Sequence, residues 1–186
     1  DALCRTATRM RRRHGRALEL GSGVGNSTLR LLEQFGDQLT WSDKDPALVH
    51  RGRRRFGGRG IVLDFDRIHL LDAESHYDNI FATNALHCAA DLPSTLVALR
   101  EILAPRGQLV IAEGFPVLAD GSPWALDIFF QAFEGWWDRT GFLTDAQWAA
   151  LIVDAGFTRL DIHPIVEGAL NVGAVYVCSV EPIREF

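Results

Sequence analysis

Short apolar runs alternate along this chain with longer segments whose apolar residues recur every three or four positions. The short runs are typical of buried strands, and the helical spacing is typical of amphipathic helices. Strands are predicted at residues 16–20, 39–42, 61–63, 77–83, 108–112, 158–163 and 174–180. Helices are predicted within residues 1–15, at 27–35, after Asp45, after Asp91, at 124–137 and at 144–156.

The order of these elements indicates the fold class. Strands that alternate with helices favour a mostly parallel sheet covered by helices on both faces. The final two strands are joined through Glu167, Gly168 and Ala169, a connection too short for a parallel crossover, so the last strand is expected to be antiparallel. We therefore predict an α/β protein with a Rossmann-like, doubly wound, seven-stranded sheet, and a single domain over residues 1–186.

Charge is distributed unevenly along the chain. Residues 1–60 contain 13 Lys and Arg against 6 Asp and Glu, whereas residues 61–186 contain 6 against 18. Arginines cluster at 11–13 and 51–55, either as solvated helix faces or as a docking surface for an acidic partner. No aromatic residues are interleaved with these arginines, which disfavours a nucleic-acid partner.

Composition excludes several other classes of protein. No apolar run is long enough to span a bilayer, so no membrane partner is expected. Cys4, Cys88 and Cys178 are scattered and form no CxxC pair, which disfavours structural zinc and a disulfide framework. No other grouping of residues predicts a metal site. A reducing, cytoplasmic location is the expectation that follows from this use of cysteine.

Polar residues follow four of the predicted strands. Three glycines, Gly21, Gly23 and Gly25, come directly after the first strand, and alternate glycines allow a sharp turn against a ligand. The strand ends themselves carry Glu19, Asp43, Asp64 and Asn84. Ligands of open α/β sheets bind at the carboxyl ends of the strands, where an acid after the second strand suits ribose hydroxyls. An acid after the third strand suits a purine amine, so a ligand that carries adenosine is expected.

Nicotinamide dinucleotides and nucleoside triphosphates fit this turn less well. The dinucleotide fingerprint is GxGxxG, but Asn26 occupies the place of its last glycine. A phosphate-binding P-loop would end in lysine, and Lys44, the single lysine of the chain, lies elsewhere.

Several motifs carry a resemblance to a known family. The run Glu19-Leu20-Gly21-Ser22-Gly23-Val24-Gly25 resembles the first motif of class I S-adenosylmethionine-dependent methyltransferases. Residues 84–92 are similar to the segment N-x-L-H-x-T-x-D-L of methyltransferase domains in polyketide synthases, and 103–113 to L-x-P-G-G-x-L-x-x-x-E. Further similarity lies at 135–137, 143–148 and 155–157. Ala89 and Arg106 depart from the threonine and glycine that are common in the family.

The resemblance implies S-adenosylmethionine as cofactor and assigns residues to it. The first motif would line the methionine and ribose, Asp43 would hold the ribose hydroxyls, Asp64 and Phe65 would lie at the adenine, and Asn84 near the reacting end. The full set of predicted cofactor-binding residues is Glu19, Gly21, Ser22, Gly23, Gly25, Asp43, Lys44, Asp64, Phe65, Asn84 and Ala85.

The family's catalytic pair corresponds to His87 and Glu113. Independent chemistry supports the same two residues, because histidine titrates in the range that suits proton removal and a carboxylate orients the ring. His87 follows the fourth strand and Glu113 ends the fifth, so their side chains are expected to meet. Residues 115–142 hold several aromatic side chains and are expected either to cover the site or to form plain core.

The most specific hypothesis for the function is methylation of the α-carbon of a carrier-bound β-ketoacyl thioester, with an acyl carrier protein as partner. Carrier proteins are acidic, so the arginines at 51–55 are a candidate docking surface. Two alternatives stay open: methylation of a hydroxyl oxygen on a polyketide-like or small metabolite, and a non-catalytic module that keeps the cofactor fold. The chain is either a free-standing enzyme or a fragment of a larger synthase.

Overall fold

The computed structural model describes residues 15–71, 76–116 and 138–180. The strands in these residues are β1 (Ala17–Leu20), β2 (Leu39–Asp43), β3 (Arg59–Val62), β4 (Tyr77–Thr83), β5 (Leu103–Gly114), β6 (Arg159–Glu167) and β7 (Leu170–Ser179). They form one seven-stranded sheet in the order β3-β2-β1-β4-β5-β7-β6. Every neighbouring pair from β3 to β5 is parallel, whereas β7 runs antiparallel to both β5 and β6. The predicted fold class is confirmed, including the antiparallel last strand.

Local sequence signals account for the helices. The described α-helices are α1 (Thr28–Phe35), α2 (Pro46–Arg55), α3 (Leu92–Glu101) and α4 (Asp145–Asp154), with 3₁₀ turns at Gly36–Gln38, Phe65–Leu70 and Leu86–Cys88. Asp45 and Asp91 cap α2 and α3 by accepting from backbone N–H groups two and three residues later. A proline in the first turn suits each of these two helices, because that position donates no helical hydrogen bond. Thr144 and Gln147 form the expected capping box of α4.

The sheet is buried on both faces. Alternate residues of β5 enter two separate apolar clusters, with Leu109 and Ile111 on one face and Val110 and Ala112 on the other. Side chains of α1 and α2 join the second cluster, and side chains of α3 and α4 join the first. Strands covered on both faces read as continuous apolar runs, which is why the pattern identified them so clearly.

Strand β3 begins earlier than predicted. The sequence pattern starts it at residue 61, but the strand already includes Gly60, which pairs with Trp41 inside the sheet. A Cβ at Gly60 would overlap the Trp41 indole ring. The glycine therefore serves the packing of the indole against the strand.

The bounds of β5 also differ from the prediction. The strand begins at Leu103, earlier than the predicted residue 108, and it continues past residue 112 to Gly114. In α1, Leu31 is buried, whereas Leu29 is 42% exposed. The predicted helices within 1–15 and at 124–137 lie outside the described residues, apart from Gly15 at the end of the first. No helix in the described part of the chain is long and apolar enough to cross a membrane.

Candidate active site

The loops after β1 and β2 are joined by short hydrogen bonds at the carboxyl edge of the sheet. The Ser22 backbone N–H donates to the Ser42 carbonyl at 2.8 Å, and the Gly23 N–H donates to Asp43 Oδ2 at 2.8 Å. Asp43 Oδ1 accepts from the Asp45 N–H at 2.9 Å. The Asp43 carboxylate thus orders the glycine turn and remains at the strand end where the sequence predicts a ribose contact.

The three glycines of the turn differ in what surrounds them. All have positive φ, +64° at Gly21, +54° at Gly23 and +89° at Gly25. A Cβ at Gly21 would lie 2.7 Å from the Ala85 Cβ, and one at Gly25 would overlap the Phe56 ring. A Cβ at Gly23 would enter open space. Two of the glycines therefore permit close packing, and Gly23 borders the hollow in which a ligand is expected.

Glu19 is buried directly before the glycine turn. The Ser27 hydroxyl donates to its Oε1, and the Ser42 hydroxyl donates to its backbone carbonyl at 2.7 Å. Burial raises the pKa of the Glu19 carboxyl to about 7, opposed by hydrogen bonds from Ser27 and Thr28. Glu19 is therefore a carboxyl group that changes its charge near neutral pH beside the predicted cofactor site.

The two residues predicted to lie at the adenine, Asp64 and Phe65, follow β3 along the chain. Asp64 accepts from the Asp66 N–H at 3.2 Å and so caps the following 3₁₀ turn. Phe65 is buried and lies close to Gly21, since a Cβ there would be 3.9 Å from the ring. Lys44 is exposed beside Asp43, and the structure gives it no described contact with the other predicted residues.

The Glu113 carboxylate binds the backbone of the turn that follows β4. Asn84 begins that turn with a φ of +50°, and its N–H donates to the Ala112 carbonyl at 2.7 Å. Glu113 Oε1 then accepts from the N–H groups of Ala85 and Leu86 at 2.9 and 2.8 Å. Its Oε2 lies 2.8 Å from His87 Nδ1. The two residues predicted as a pair are thus in direct contact, and both side chains are fully buried.

The pairing determines which ring nitrogen of His87 can act as a base. Ionised Glu113 only accepts hydrogen bonds, so Nδ1 carries the proton and Nε2 has the lone pair in the neutral ring. Burial acts to lower the pKa of His87, but the negative charge of Glu113 and side-chain hydrogen bonds with Cys88 and Glu113 outweigh it and raise the pKa well above its usual value. The pair can therefore provide a strong, oriented base.

Sequence reasoning missed Asp66 at this turn, and it included Phe142 only as part of the segment 115–142 that was expected to cover the site or to form core. Phe142 lies with its ring centroid 4.4 Å from that of His87, and Asp66 accepts from the Ala90 N–H at 3.0 Å. Neither residue stands in a recognisable motif, and the contacts join positions far apart in the sequence. Of the predicted cover segment, residues 117–137 lie outside the described part of the chain.

The residues at this edge fit an S-adenosylmethionine cofactor. Among the buried polar atoms that have no hydrogen-bond partner within the described residues, Ser22 Oγ and Asn84 Oδ1 lie at this edge, as expected at a site built for a polar ligand. Together with the open volume at Gly23, they lie along the strand ends predicted to bind the nucleoside. Within the described ranges, no group of three or more His, Cys, Asp and Glu could hold a metal ion.

Comparison with known proteins shows the family of the chain. Residues 18–109 match the family model described as a methyltransferase domain. The non-reducing polyketide synthase esdpA of Penicillium shearii is 34% identical over 160 residues, which cover 78% of this chain and 7% of that protein. The chain thus spans only a small part of the length of this curated relative.

Two solved structures are similar over nearly the whole chain. The CurJ carbon methyltransferase has a TM-score of 0.74 at 28% identity, covering 93% of this chain and 50% of that one. The trans-methyltransferase CalH, solved in complex with SAH, has a TM-score of 0.76 at 24% identity, covering 96% of this chain and 54% of that one. Fold, sheet edge and sequence similarity agree, and the chain is a class I S-adenosylmethionine-dependent methyltransferase that resembles the carbon-methyltransferase domains of polyketide synthases.

Proposed function

We propose that this domain methylates the α-carbon of a β-ketoacyl thioester attached to an acyl carrier protein. The observation that carries the proposal is the buried contact of 2.8 Å between His87 Nδ1 and Glu113 Oε2. A carbon between two carbonyl groups becomes a nucleophile only after it loses a proton, so the enzyme needs a base. A buried imidazole with its proton fixed on Nδ1 provides that base at Nε2.

The proton follows a simple path. His87 Nε2 takes the α-proton of the acyl group, the electron pair of the C–H bond becomes the enolate, and the imidazole becomes imidazolium. Glu113 stabilises that imidazolium through the hydrogen bond at Nδ1, and its other oxygen is held by two backbone N–H groups. General-base assistance of this kind is worth about 10²–10⁴ in rate.

S-adenosylmethionine supplies, when bound, an electrophilic methyl group on a sulfonium that leaves as a neutral thioether. The residues proposed to hold it are those of the carboxyl edge, with Asp43 at the ribose hydroxyls, Asp64 and Phe65 at the adenine, and Asn84 near the reacting end. Two of the acidic side chains at this edge, Glu19 and Asp43, are buried, with 1% and 8% exposure. A positively charged ligand is favoured next to such carboxylates.

The acyl carrier protein is proposed to dock on the arginines of α2. Arg51, Arg53, Arg54 and Arg55 are all exposed, and Arg53 in addition donates to the Gly60 carbonyl at 3.0 and 2.6 Å and so supports β3. Reversing the charge of Arg51 and Arg54 should raise KM for a carrier-bound substrate and leave KM for a small thioester with the same acyl group unchanged. Equal effects on both substrates would contradict the docking surface.

A labelling experiment tests the reaction. The chain is incubated with S-adenosylmethionine that carries a ¹³C-methyl group and with a carrier-bound β-ketoacyl thioester labelled with ¹³C at the α-carbon. One-bond coupling between the two labels in the product demonstrates a carbon-linked methyl group.

Each control separates one alternative. A methyl signal without that coupling would indicate oxygen methylation, and a β-hydroxyacyl thioester tests that reaction directly. A β-ketoacyl substrate whose α-carbon carries no hydrogen should not react. Normal turnover by His87→Ala would contradict the proposed role of His87 as the base. Absence of S-adenosylmethionine binding in calorimetry would instead favour a non-catalytic module.

A further inference from the structure

A short stretch of chain is fastened across the turn that carries His87. The Thr140 N–H donates to the Ala89 carbonyl at 2.7 Å, and the Gly141 N–H donates to the His87 carbonyl at 2.9 Å. The Thr140 hydroxyl adds a bond of 2.9 Å to the same Ala89 carbonyl. We name residues 139–142 the His87 strap.

Asp66 also contacts the turn that carries His87. Its carboxylate accepts from the Ala90 N–H at 3.0 and 3.2 Å and lies 3.4 Å from the Thr95 hydroxyl. Arg139 reaches it at 3.5 Å, but both side chains are partly exposed and such a pair is worth little. The bond to Ala90 and the two backbone bonds of the strap therefore hold the turn.

The strap ends with an aromatic ring against the imidazole. The Phe142 and His87 ring centroids lie 4.4 Å apart with an angle of 30° between the ring planes. Glu113 fixes the ring of His87 at one point of its edge, about which the plane could still rotate. A second ring on its face removes that freedom and keeps water away from it.

From this geometry we propose that Phe142 is a positioning residue for His87, held in place by the backbone bonds of the strap and by Asp66, and that it sets the direction in which Nε2 points. This inference rests on the proposed role of His87 as base. Asp66 directly follows Asp64 and Phe65, so the predicted adenine segment and the catalytic turn share one support.

The first test needs no substrate. In ¹H–¹⁵N spectra of the histidine side chains, the Nδ1 proton of His87 is expected to exchange slowly with water. Phe142→Ala should accelerate that exchange about tenfold or more, whereas Phe142→Leu should restore most of the protection, because an apolar side chain again covers the ring. Leu143→Ala is the matched control, since Leu143 packs against the core instead.

The second test uses exchange of the α-hydrogen of a β-ketoacyl thioester in D₂O, together with kcat and KM. Phe142→Ala should lower kcat about tenfold and leave the KM for S-adenosylmethionine unchanged, because the methyl donor site is intact. Phe142→Leu should recover most of the rate. Asp66→Asn should act in the same direction, with Asp161→Asn as control, because Asp161 forms an exposed pair with Arg159.

The outcomes separate the two proposals. If Phe142→Ala changes neither proton exchange at Nδ1 nor kcat, the positioning role is wrong, whatever reaction the domain performs. If the unaltered chain fails to accelerate α-hydrogen exchange while Phe142→Ala still exposes the Nδ1 proton, the proposed reaction is wrong and the positioning role stands.

Discussion

At the scale of single residues, Glu113 decides the properties of His87. A neutral imidazole is needed to take a proton, and its population grows only as the pH rises through the pKa. The Glu113 charge raises that pKa against the effect of burial, so kcat/KM should increase with pH to values above the usual titration of histidine near 6.5.

Glu113→Gln tests this assignment. Its amide N–H would donate to Nδ1, which moves the histidine proton to Nε2 and blocks the base. We expect kcat/KM to fall by about 10² or more and the remaining pH dependence to move to lower pH, because the negative charge is gone. A pH profile identical to that of the unaltered chain would contradict the role of Glu113.

Substitution of Gly23 tests two effects separately, the effect of backbone conformation on stability and the effect of a side chain on ligand binding. Gly23→Ala should cost about 1 kcal/mol of stability because of its positive φ, and should weaken S-adenosylmethionine binding about tenfold or more, because the Cβ enters the open volume. Calorimetry gives the Kd and thermal unfolding gives the stability.

Gly168 provides the matched control for that substitution. Its φ is +63°, a Cβ there also meets open space, and it lies in the hairpin between β6 and β7, which β4 and β5 separate from β1 in the sheet. Gly168→Ala should lose stability and bind the donor normally. Equal donor affinity in Gly23→Ala and Gly168→Ala would show that Gly23 does not border the cofactor.

At the scale of elements, α4 fixes the chain directly after the His87 strap. Thr144 and Gln147 satisfy each other's backbone N–H groups at its start, and Asp145 accepts from the Tyr176 hydroxyl at 2.9 Å. The helix is thereby anchored to β7, so the capping box has a structural role close to the site.

Thr144→Ala should lower the free energy of unfolding by about 1 kcal/mol, because one helix N–H loses its acceptor. Thr144→Ser keeps the hydroxyl and should restore the stability, as measured by urea denaturation. A loss of equal size in both variants would contradict the capping explanation.

At the scale of the whole molecule, burial of ionisable groups makes stability depend on pH. The pKa of the Glu19 carboxyl is about 7 in the folded chain, compared with its ordinary value of 4.5. The folded chain therefore holds this proton more tightly than the unfolded chain, and the contribution of Glu19 to stability is complete below pH 4.5. That contribution is lost as the pH rises toward 7. The raised pKa of His87 acts in the same direction at higher pH, from about 6.5 upward.

The free energy of unfolding should therefore decrease between pH 5 and pH 7.5, with Glu19 contributing at most about 3 kcal/mol. Glu19→Gln should flatten this decrease, because its amide does not ionise. Glu33→Gln on the exposed side of α1 is the control and should leave the slope unchanged. An unchanged slope in Glu19→Gln would show that Glu19 does not titrate in this range.

The sequence by itself determined the order of the strands and helices along the chain and the positions at which α2, α3 and α4 begin. Strand β4 (Tyr77–Thr83) has the predicted bounds because Ile80, Phe81 and Ala82 form a continuous buried apolar run at its centre, and the caps of α2, α3 and α4 are local signals. The pairing of His87 with Glu113 was also predictable, because neighbouring parallel strands bring their carboxyl ends together.

Only the tertiary structure decided the contacts that no local pattern encodes. Gly60 fits within β3 because the Trp41 indole ring, on the neighbouring strand, occupies the space that a side chain at position 60 would need. Phe142 and Asp66 reach the His87 turn across 55 and 21 residues of sequence, and their positions depend on how the sheet and its connecting turns pack. The periodicity of a sequence shows which residues share one face of a helix or strand. The contacts between different elements form only when all of the elements are packed together.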